Sequence, residues 1–265
     1  MILLFDIGNT HTHLALASVK RILRRLDVPT ELWFEGRGGL LLTRFARGVA
    51  VSGAAMCSVV PRATARVKQA LRSVWRGDVV EVRPRNLPGV KVDYPQPSTI
   101  GADRLANAVA ARHRYGAPVV ALDFGTALTI DVVNSRACYI GGVIAPGLAA
   151  MTNYLRERTA LLPRISLRAT RRAIGRSTVE AMRIGVVRGY GGLVRELLGA
   201  VLNQPGCAGA RVVATGGYAR LIASQLPEIQ IVDPTLTLEG VRLVWEWNCT
   251  NRPNAKSRKG EKAVV

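Results

Sequence analysis

Twice in this chain an apolar run delivers an acidic residue into a glycine turn. Residues 2–10 read Ile-Leu-Leu-Phe-Asp-Ile-Gly-Asn-Thr, and residues 119–127 read Val-Val-Ala-Leu-Asp-Phe-Gly-Thr-Ala. More strand-like sequence follows each turn, Thr12-His13-Leu14-Ala15-Leu16 and Leu128-Thr129-Ile130-Asp131-Val132. Short continuous apolar runs bounded by turn signals suit strands buried on both faces. A glycine lets backbone approach an anion with no Cβ in the way, and neighbouring hydroxyl and amide groups add hydrogen bonds. A carboxylate at the strand end suits a cation held beside phosphate. A plain hairpin turn is the simpler reading of either copy alone. The pair predicts two similar halves with a nucleotide between them.

The order of elements agrees with a duplication. The first half reads as a hairpin, an irregular region over residues 20–48, a short strand at Val49-Ala50-Val51-Ser52, a helix opened by Pro61 and running to Trp75, and a strand at Val79-Val80-Glu81-Val82. Residues 84–98, rich in Pro and Gly, read as a linker. A helix is predicted over residues 102–115, with Leu105, Ala106, Val109 and Ala110 at helical spacing and His113 on its surface. The second half restarts with strand, turn and strand. A third strand at residues 139–145 is interrupted by Gly141-Gly142. Helices at 148–156 and 178–202, a strand at 211–214, a helix to Leu226, a strand at 229–232 and a helix to Trp247 follow. The expected fold is α/β: two duplicated domains with mixed sheets, residues 1–100 and 101–247, flanking a cleft, then a basic and disordered tail over residues 248–265.

Composition narrows the setting. With 265 residues and 48% hydrophobic content, the chain has ample material for a buried core. No apolar run is long enough for a membrane span, and the N-terminus enters a strand without a basic leader, so neither membrane nor export is expected. Cys57, Cys138, Cys207 and Cys249 form no C-x-x-C pair and read as reduced thiols of a cytoplasmic protein. His11 and His13 share a strand face and could bind a metal, though they supply no clustered ligand set. The net charge of +19 lies mostly on the body, since residues 248–265 carry only Arg252, Lys256, Arg258, Lys259 and Lys262 against Glu261. Such a surface attracts anions unspecifically, and no specific nucleic-acid partner is expected.

Seven segments in order carry a resemblance. They are Asp6-Ile-Gly-Asn-Thr10, Ser58-Val-Val-Pro61, Gly101-Ala-Asp-Arg104, Asp123-Phe-Gly-Thr-Ala127, Gly141-Gly-Val-Ile-Ala-Pro-Gly147, Thr159-Ala-Leu-Leu-Pro163 and Thr215-Gly-Gly217. Over residues 1 to about 245 the chain resembles the acetate kinase–sugar kinase–Hsp70–actin superfamily, and within it closely resembles bacterial type III pantothenate kinases. The resemblance implies actin-like (ribonuclease H-like) domains, a homodimer, and ATP-dependent phosphorylation of pantothenate, the first step of coenzyme A synthesis.

It also implies roles. Asp6, Ile7, Gly8, Asn9, Thr10, His11, Thr12, His13 and Thr126 contact ATP, and Asp6 is a candidate for magnesium, directly or through water. Asp123 takes the activating monovalent cation, potassium or ammonium. Asp103 is the general base. Tyr94, Gly101, Ala102, Asp103, Arg104 and Thr178 line the acceptor site, with Thr178 contributed across a dimer interface. A planar guanidinium suits a substrate carboxylate, and a helix N-terminus favours Asp103 as an anion. Plainer readings stand beside these: Asp103 as a first-turn helix acid, and Ser177-Thr178-Val179-Glu180 as a capping box. Thr215-Gly216-Gly217 falls near the adenosine in this superfamily. Leu128 departs from the family pattern, which has a small hydroxyl residue there, and is expected to alter packing rather than phosphate contact. The phosphate-loop pattern G-x-x-x-x-G-K-[ST] is absent. Two other functions remain open: a catalytically silent homologue acting as a regulator or on nucleic acid, and a same-fold kinase for another hydroxy acid.

Overall fold

The computed structural model describes residues 1–251. The basic tail from residue 252 onward therefore lies outside the described residues. Two sheets carry the fold, and they share one plan. In the first, β1 (Ile2–Ile7), β2 (His11–Ala17), β3 (Ile22–Pro29), β4 (Gly53–Ser58) and β5 (Val79–Glu81) lie in the order β3-β2-β1-β4-β5. β1, β2 and β3 are antiparallel neighbours, while β4 and β5 add in parallel. The second sheet comprises β7 (Val119–Phe124), β8 (Ala127–Val133), β9 (Cys138–Pro146), β10 (Arg211–Thr215) and β11 (Ile231–Val232), preceded by the short β6 (Lys91–Val92). Its order, β11-β10-β7-β8-β9-β6, repeats the first with one extra strand, and the pairings have the same senses. The duplication predicted from the two turns is thus a duplication of topology.

Alternate residues of each central strand feed different cores, as a period of two requires. Leu3, Phe5 and Ile7 of β1 pack outward with Ala63, Val67 and Leu71 of α3 (Pro61–Leu71) and with Leu42 and Phe45 of α2 (Arg37–Phe45). Trp33, from the single-turn α1 (Glu31–Phe34), joins them. Val120, Leu122 and Phe124 of β7 pack with α6 (Thr178–Leu202) and α7 (Ala219–Ala223), and Leu148 at the start of α5 (Leu148–Arg158) joins them. The remaining faces, Ile2 and Leu4 of β1 and Val119 and Ala121 of β7, share one central core with α4 (Ala102–Tyr115) and α8 (Leu236–Thr250). Although last in sequence, α8 lies against β1, β2 and β4 of the first sheet.

Several local expectations need correction. Residues 20–48 are not irregular: they form β3, α1 and α2. β3 is an edge strand with arginines on both faces, Arg24 towards Phe45 and Arg25 towards Pro234, so its apolar alternation is faint. Arg24 is nonetheless fixed, bonding the Phe45 carbonyl and lying over that ring at 4.5 Å. The strand expected at 49–52 lies instead at Gly53–Ser58, where Ala54, Ala55, Met56 and Cys57 are almost wholly buried. Alanine has little intrinsic strand preference, and burial against β1 overrides it. Within residues 84–98, Lys91 and Val92 pair with β9, and the Asp93 N–H bonds the Tyr139 carbonyl at 2.9 Å. Gly141-Gly142 does not break the third strand. It sits inside β9 beside a register shift, with Gly141 at φ +113°. The final helix runs past Trp247 to Thr250. α4 and α6 have the predicted bounds.

Candidate active site

The two glycine turns meet. Thr10 and Thr126, 116 residues apart in sequence, bond hydroxyl to hydroxyl at 2.8 Å. Each turn is closed by its own backbone: the Gly8 N–H donates to the His11 carbonyl at 3.0 Å, and the Gly125 N–H to that of Ala127 at 3.1 Å. Those two N–H groups are thereby spent. An anion here would meet the exposed Asn9, Thr10 and Thr126 instead. Ile7 and Thr12 are fully buried, backbone included. Thr30, at the end of β3, braces the first turn by donating its hydroxyl to the Gly8 carbonyl at 2.7 Å and its N–H to the Thr10 carbonyl at 2.9 Å.

Asp6 ends β1 between His13 of β2 and Cys57 of β4 in the sheet register. The Cys57 thiol donates to its Oδ1 at 3.3 Å. Asp123 takes the equivalent place on β7, and its Oδ2 accepts from Asn107 Nδ2 at 3.2 Å. Thr237 of α8 in turn donates to Asn107 Oδ1 at 2.8 Å. Gly216, at φ +88°, closes the floor behind Asp123. A Cβ there would stand 2.6 Å from Asp123 Oδ1 and 2.7 Å from the Phe124 backbone, so only glycine fits. Thr215-Gly216-Gly217 therefore borders the second acidic turn.

Asp103 lies in the first turn of α4, where its Oδ1 accepts the Arg104 N–H at 2.8 Å. Gly101 before it is another tight position, since a Cβ would fall 2.5 Å from Asp103 Oδ1. Arg104 turns away from Asp103, and its Nε donates to Asp131 at 2.7 Å. The Tyr94 ring packs beside Tyr139 with centroids 6.4 Å apart, against the backbone of Gly141. Thr178 stands apart. It is exposed at the start of α6, where Ser177 caps the helix by accepting the Glu180 N–H at 3.2 Å. The cap half of the predicted capping box holds, while the reciprocal bond goes one residue earlier, Glu180 accepting the Arg176 N–H at 2.8 Å. Among the described residues, Thr178 shares no hydrogen bond with Asp103, Arg104 or Tyr94. His11 and His13 stack at 6.2 Å, and His13 Nδ1 pairs with Asp27 Oδ1 at 2.8 Å. Among the described residues no group of three His, Cys, Asp or Glu side chains is arranged to hold a metal.

The carboxyls repel one another across this cleft. Burial pushes Asp123 from an ordinary 3.8 up to about 7, with the charge of Asp6 adding to the effect. Burial likewise lifts Asp6 to about 6, reinforced by Asp103 and opposed by His13. Asp103 is raised by burial against the Arg104 N–H and guanidinium. Hard oxygen donors at mutually repelling acids fit a cation, which would relieve both. The sign of the pH effect on stability follows. Between the unfolded value near 3.8 and the folded values, the folded chain holds protons that the unfolded chain has released. Stability therefore falls as pH rises through that window. Without nucleotide or added cation, Tm should be lower at pH 8 than at pH 5, and Asp123→Asn should flatten part of the slope. A slope that Asp123→Asn leaves unchanged would reject this assignment.

Sequence reasoning missed Thr30, Cys57, Asn107, Asp131 and Tyr139. Asp131 did leave a signal: an acid inside the apolar strand Leu128-Thr129-Ile130-Asp131-Val132, out of phase with the residues that pack outward. Leu128 is fully buried in the outer core, as expected for a packing residue.

Paired sheets of matching order, the second with one extra strand, each carrying an acidic glycine turn at its central strand, define a duplicated actin-like α/β fold. A structure of a Baf-family protein from Campylobacter jejuni superposes with a TM-score of 0.60 at 20% identity, covering 94% of this chain and 99% of that one. Component A of (R)-2-hydroxyglutaryl-CoA dehydratase from Acidaminococcus fermentans gives 0.53 at 15% identity, covering 93% and 96%. Sequence narrows the assignment. The profile of the type III pantothenate kinase family matches residues 2–200. The chain is 46% identical over 242 residues to a type III pantothenate kinase of Akkermansia muciniphila, covering 91% of this chain and 96% of that protein. It is 39% identical to one of Methylacidiphilum infernorum, covering 92% and 88%. The chain belongs to the type III pantothenate kinase family.

Proposed function

We propose that this chain transfers the γ-phosphoryl group of ATP to the primary hydroxyl of pantothenate, giving 4′-phosphopantothenate for coenzyme A synthesis. Beyond family membership, one observation carries the reading: the Asp103 carboxyl stands at the start of α4, close enough to Asp6 and Asp123 to raise both. A base beside a phosphate- and cation-holding floor is the arrangement in-line phosphoryl transfer needs.

In this reading Asn9, Thr10 and Thr126 receive the phosphates, and Asp103 takes the hydroxyl proton as that oxygen attacks. Burial raises Asp103 above the ordinary carboxylate value, which makes it a stronger base. Arg104 and Tyr94 hold the acceptor. Asp6 would hold magnesium, directly or through water, and Asp123 a monovalent cation, potassium or ammonium. Such ions supply positive charge to the transferring phosphoryl group.

Thr178 belongs to the acceptor site of a second copy. This is supported by its exposure and by the apolar side chains near it in sequence, Ile174 and Val179, being exposed at 81% and 37%. Four cysteines that form no disulfide agree with a reducing cytoplasm. Among the described residues no helix is long and apolar enough to cross a membrane.

The test is direct. Purified protein with ATP, magnesium, potassium and pantothenate should form phosphopantothenate, and omitting potassium and ammonium should lower the rate. Asp123→Asn should remove that dependence. Folded protein that yields no product under these conditions would refute the function. Turnover indifferent to monovalent cation would refute the role of Asp123 alone.

A further inference from the structure

Arg104 does not reach into the acceptor site as a free cation. Its side chain is 11% exposed, and its Nε is bound at 2.7 Å to Asp131, whose side chain is fully buried. That same oxygen accepts the Tyr139 hydroxyl at 3.0 Å, and the other carboxylate oxygen accepts Thr129 Oγ1 at 3.0 Å. Asp131 is therefore held by three donors from three elements. Tyr139 also lies beside the guanidinium, with Arg104 Cζ 5.9 Å from its ring centroid. It is wholly buried, so it meets no ligand itself.

The neighbouring nitrogen of the guanidinium is different. Arg104 Nη2 is buried and has no hydrogen-bond partner. A buried donor left unpaired costs free energy that a ligand oxygen can recover. Gly142 lets the β9 backbone pass close beside it. A Cβ there would fall 3.1 Å from Nη2 and 1.7 Å from the Ile130 carbonyl. The adjacent Gly141 backs the Tyr94 ring.

We propose that Asp131 is the positioning residue of the acceptor site: with Tyr139 and Thr129 it clamps Arg104 by Nε, so that the unpaired Nη2 is held in one orientation for an oxygen of pantothenate. A guanidinium held on one edge has already lost the rotamer freedom that binding would otherwise cost. Its planar fork then keeps one orientation. This rests on the reading of Arg104 as an acceptor contact, and the experiment separates the two.

Steady-state kinetics would be measured for wild type, Arg104→Ala, Asp131→Asn and the double variant, varying pantothenate and ATP separately, with Tm recorded for each. Asp131→Asn should raise KM for pantothenate about tenfold, the size of a lost charge-assisted hydrogen bond, with KM for ATP unchanged. In the Arg104→Ala background the same change should matter less than about twofold, because the group it acts through is gone. Equal effects in both backgrounds, or matched rises in both KM values, would mean a general structural role and overturn the proposal. If Arg104→Ala leaves KM for pantothenate unchanged, the contact reading itself fails. Tyr139→Phe decides the matter if Asp131→Asn does not fold. It should raise KM for pantothenate about threefold with KM for ATP unchanged, and no rise would overturn the clamp.

Discussion

Asp103→Asn should lower kcat for phosphopantothenate formation by about 10²–10⁴-fold, the usual contribution of a positioned base. The substitution keeps the shape of the side chain and an oxygen able to accept the Arg104 N–H. The N-terminal turn of α4 therefore stays closed, and KM for ATP should hardly move. The change also removes one charge from a group of carboxyls that raise one another. Asp6 and Asp123, both lifted in part by Asp103, should titrate lower in the variant. The cation-free protein should thus be no less stable than wild type at pH 8. Loss of turnover with unchanged or higher Tm identifies chemistry. Loss accompanied by a fall in Tm at pH 8 would identify damage to the fold, and near-wild-type turnover would remove Asp103 from the mechanism.

Gly240→Ala should be among the most damaging single methyls in the described chain. Helices α4 and α8 cross with their backbones in contact there: a Cβ on Gly240 would stand 1.9 Å from the Ala106 carbonyl oxygen and 2.8 Å from its Cα. No rotamer relieves a clash between a Cβ and a neighbouring backbone, so the helices must part. Overpacking of this kind costs about 3 kcal/mol, or a fall in Tm of roughly 6–12 °C by the scaling for chains of this size. The effect should reach the site, because Asn107, next to Ala106, links Thr237 of α8 to Asp123. Protein that survives the substitution should show weaker activation by potassium. A variant with wild-type Tm would mean that the two helices already have slack.

The sequence made the central elements plain where burial was two-sided and continuous. β1 and β7 each read as apolar runs because sheet faces press on both sides of them, and α4 showed helical spacing because one stripe is buried against α8 and the second sheet. The acid at the end of each central strand was visible for the same reason, being the first polar group after such a run. The edge of the first sheet was not visible. β3 is an arginine-bearing edge strand, so the Thr30 brace on the first turn and the Asp27 partner of His13 were hidden with it. β4 was displaced because small residues fill its buried positions. The acceptor clamp escaped notice for another reason: Asp131 meets Arg104 only once β8 and α4 are packed, a contact across 27 residues that no local pattern announces.

The hydroxyl pair of Thr10 and Thr126 bears on how this protein can be divided. One oxygen is encoded near the start of the chain and the other 116 positions later. No contiguous fragment shorter than that span contains both, and either turn alone presents only half of the floor. In a library of truncations, single pieces that carry only one of the two turns should fail to retain nucleotide. Two complementary pieces, produced together, should regain it only as a reassembled pair, which makes nucleotide retention a reporter of reassembly.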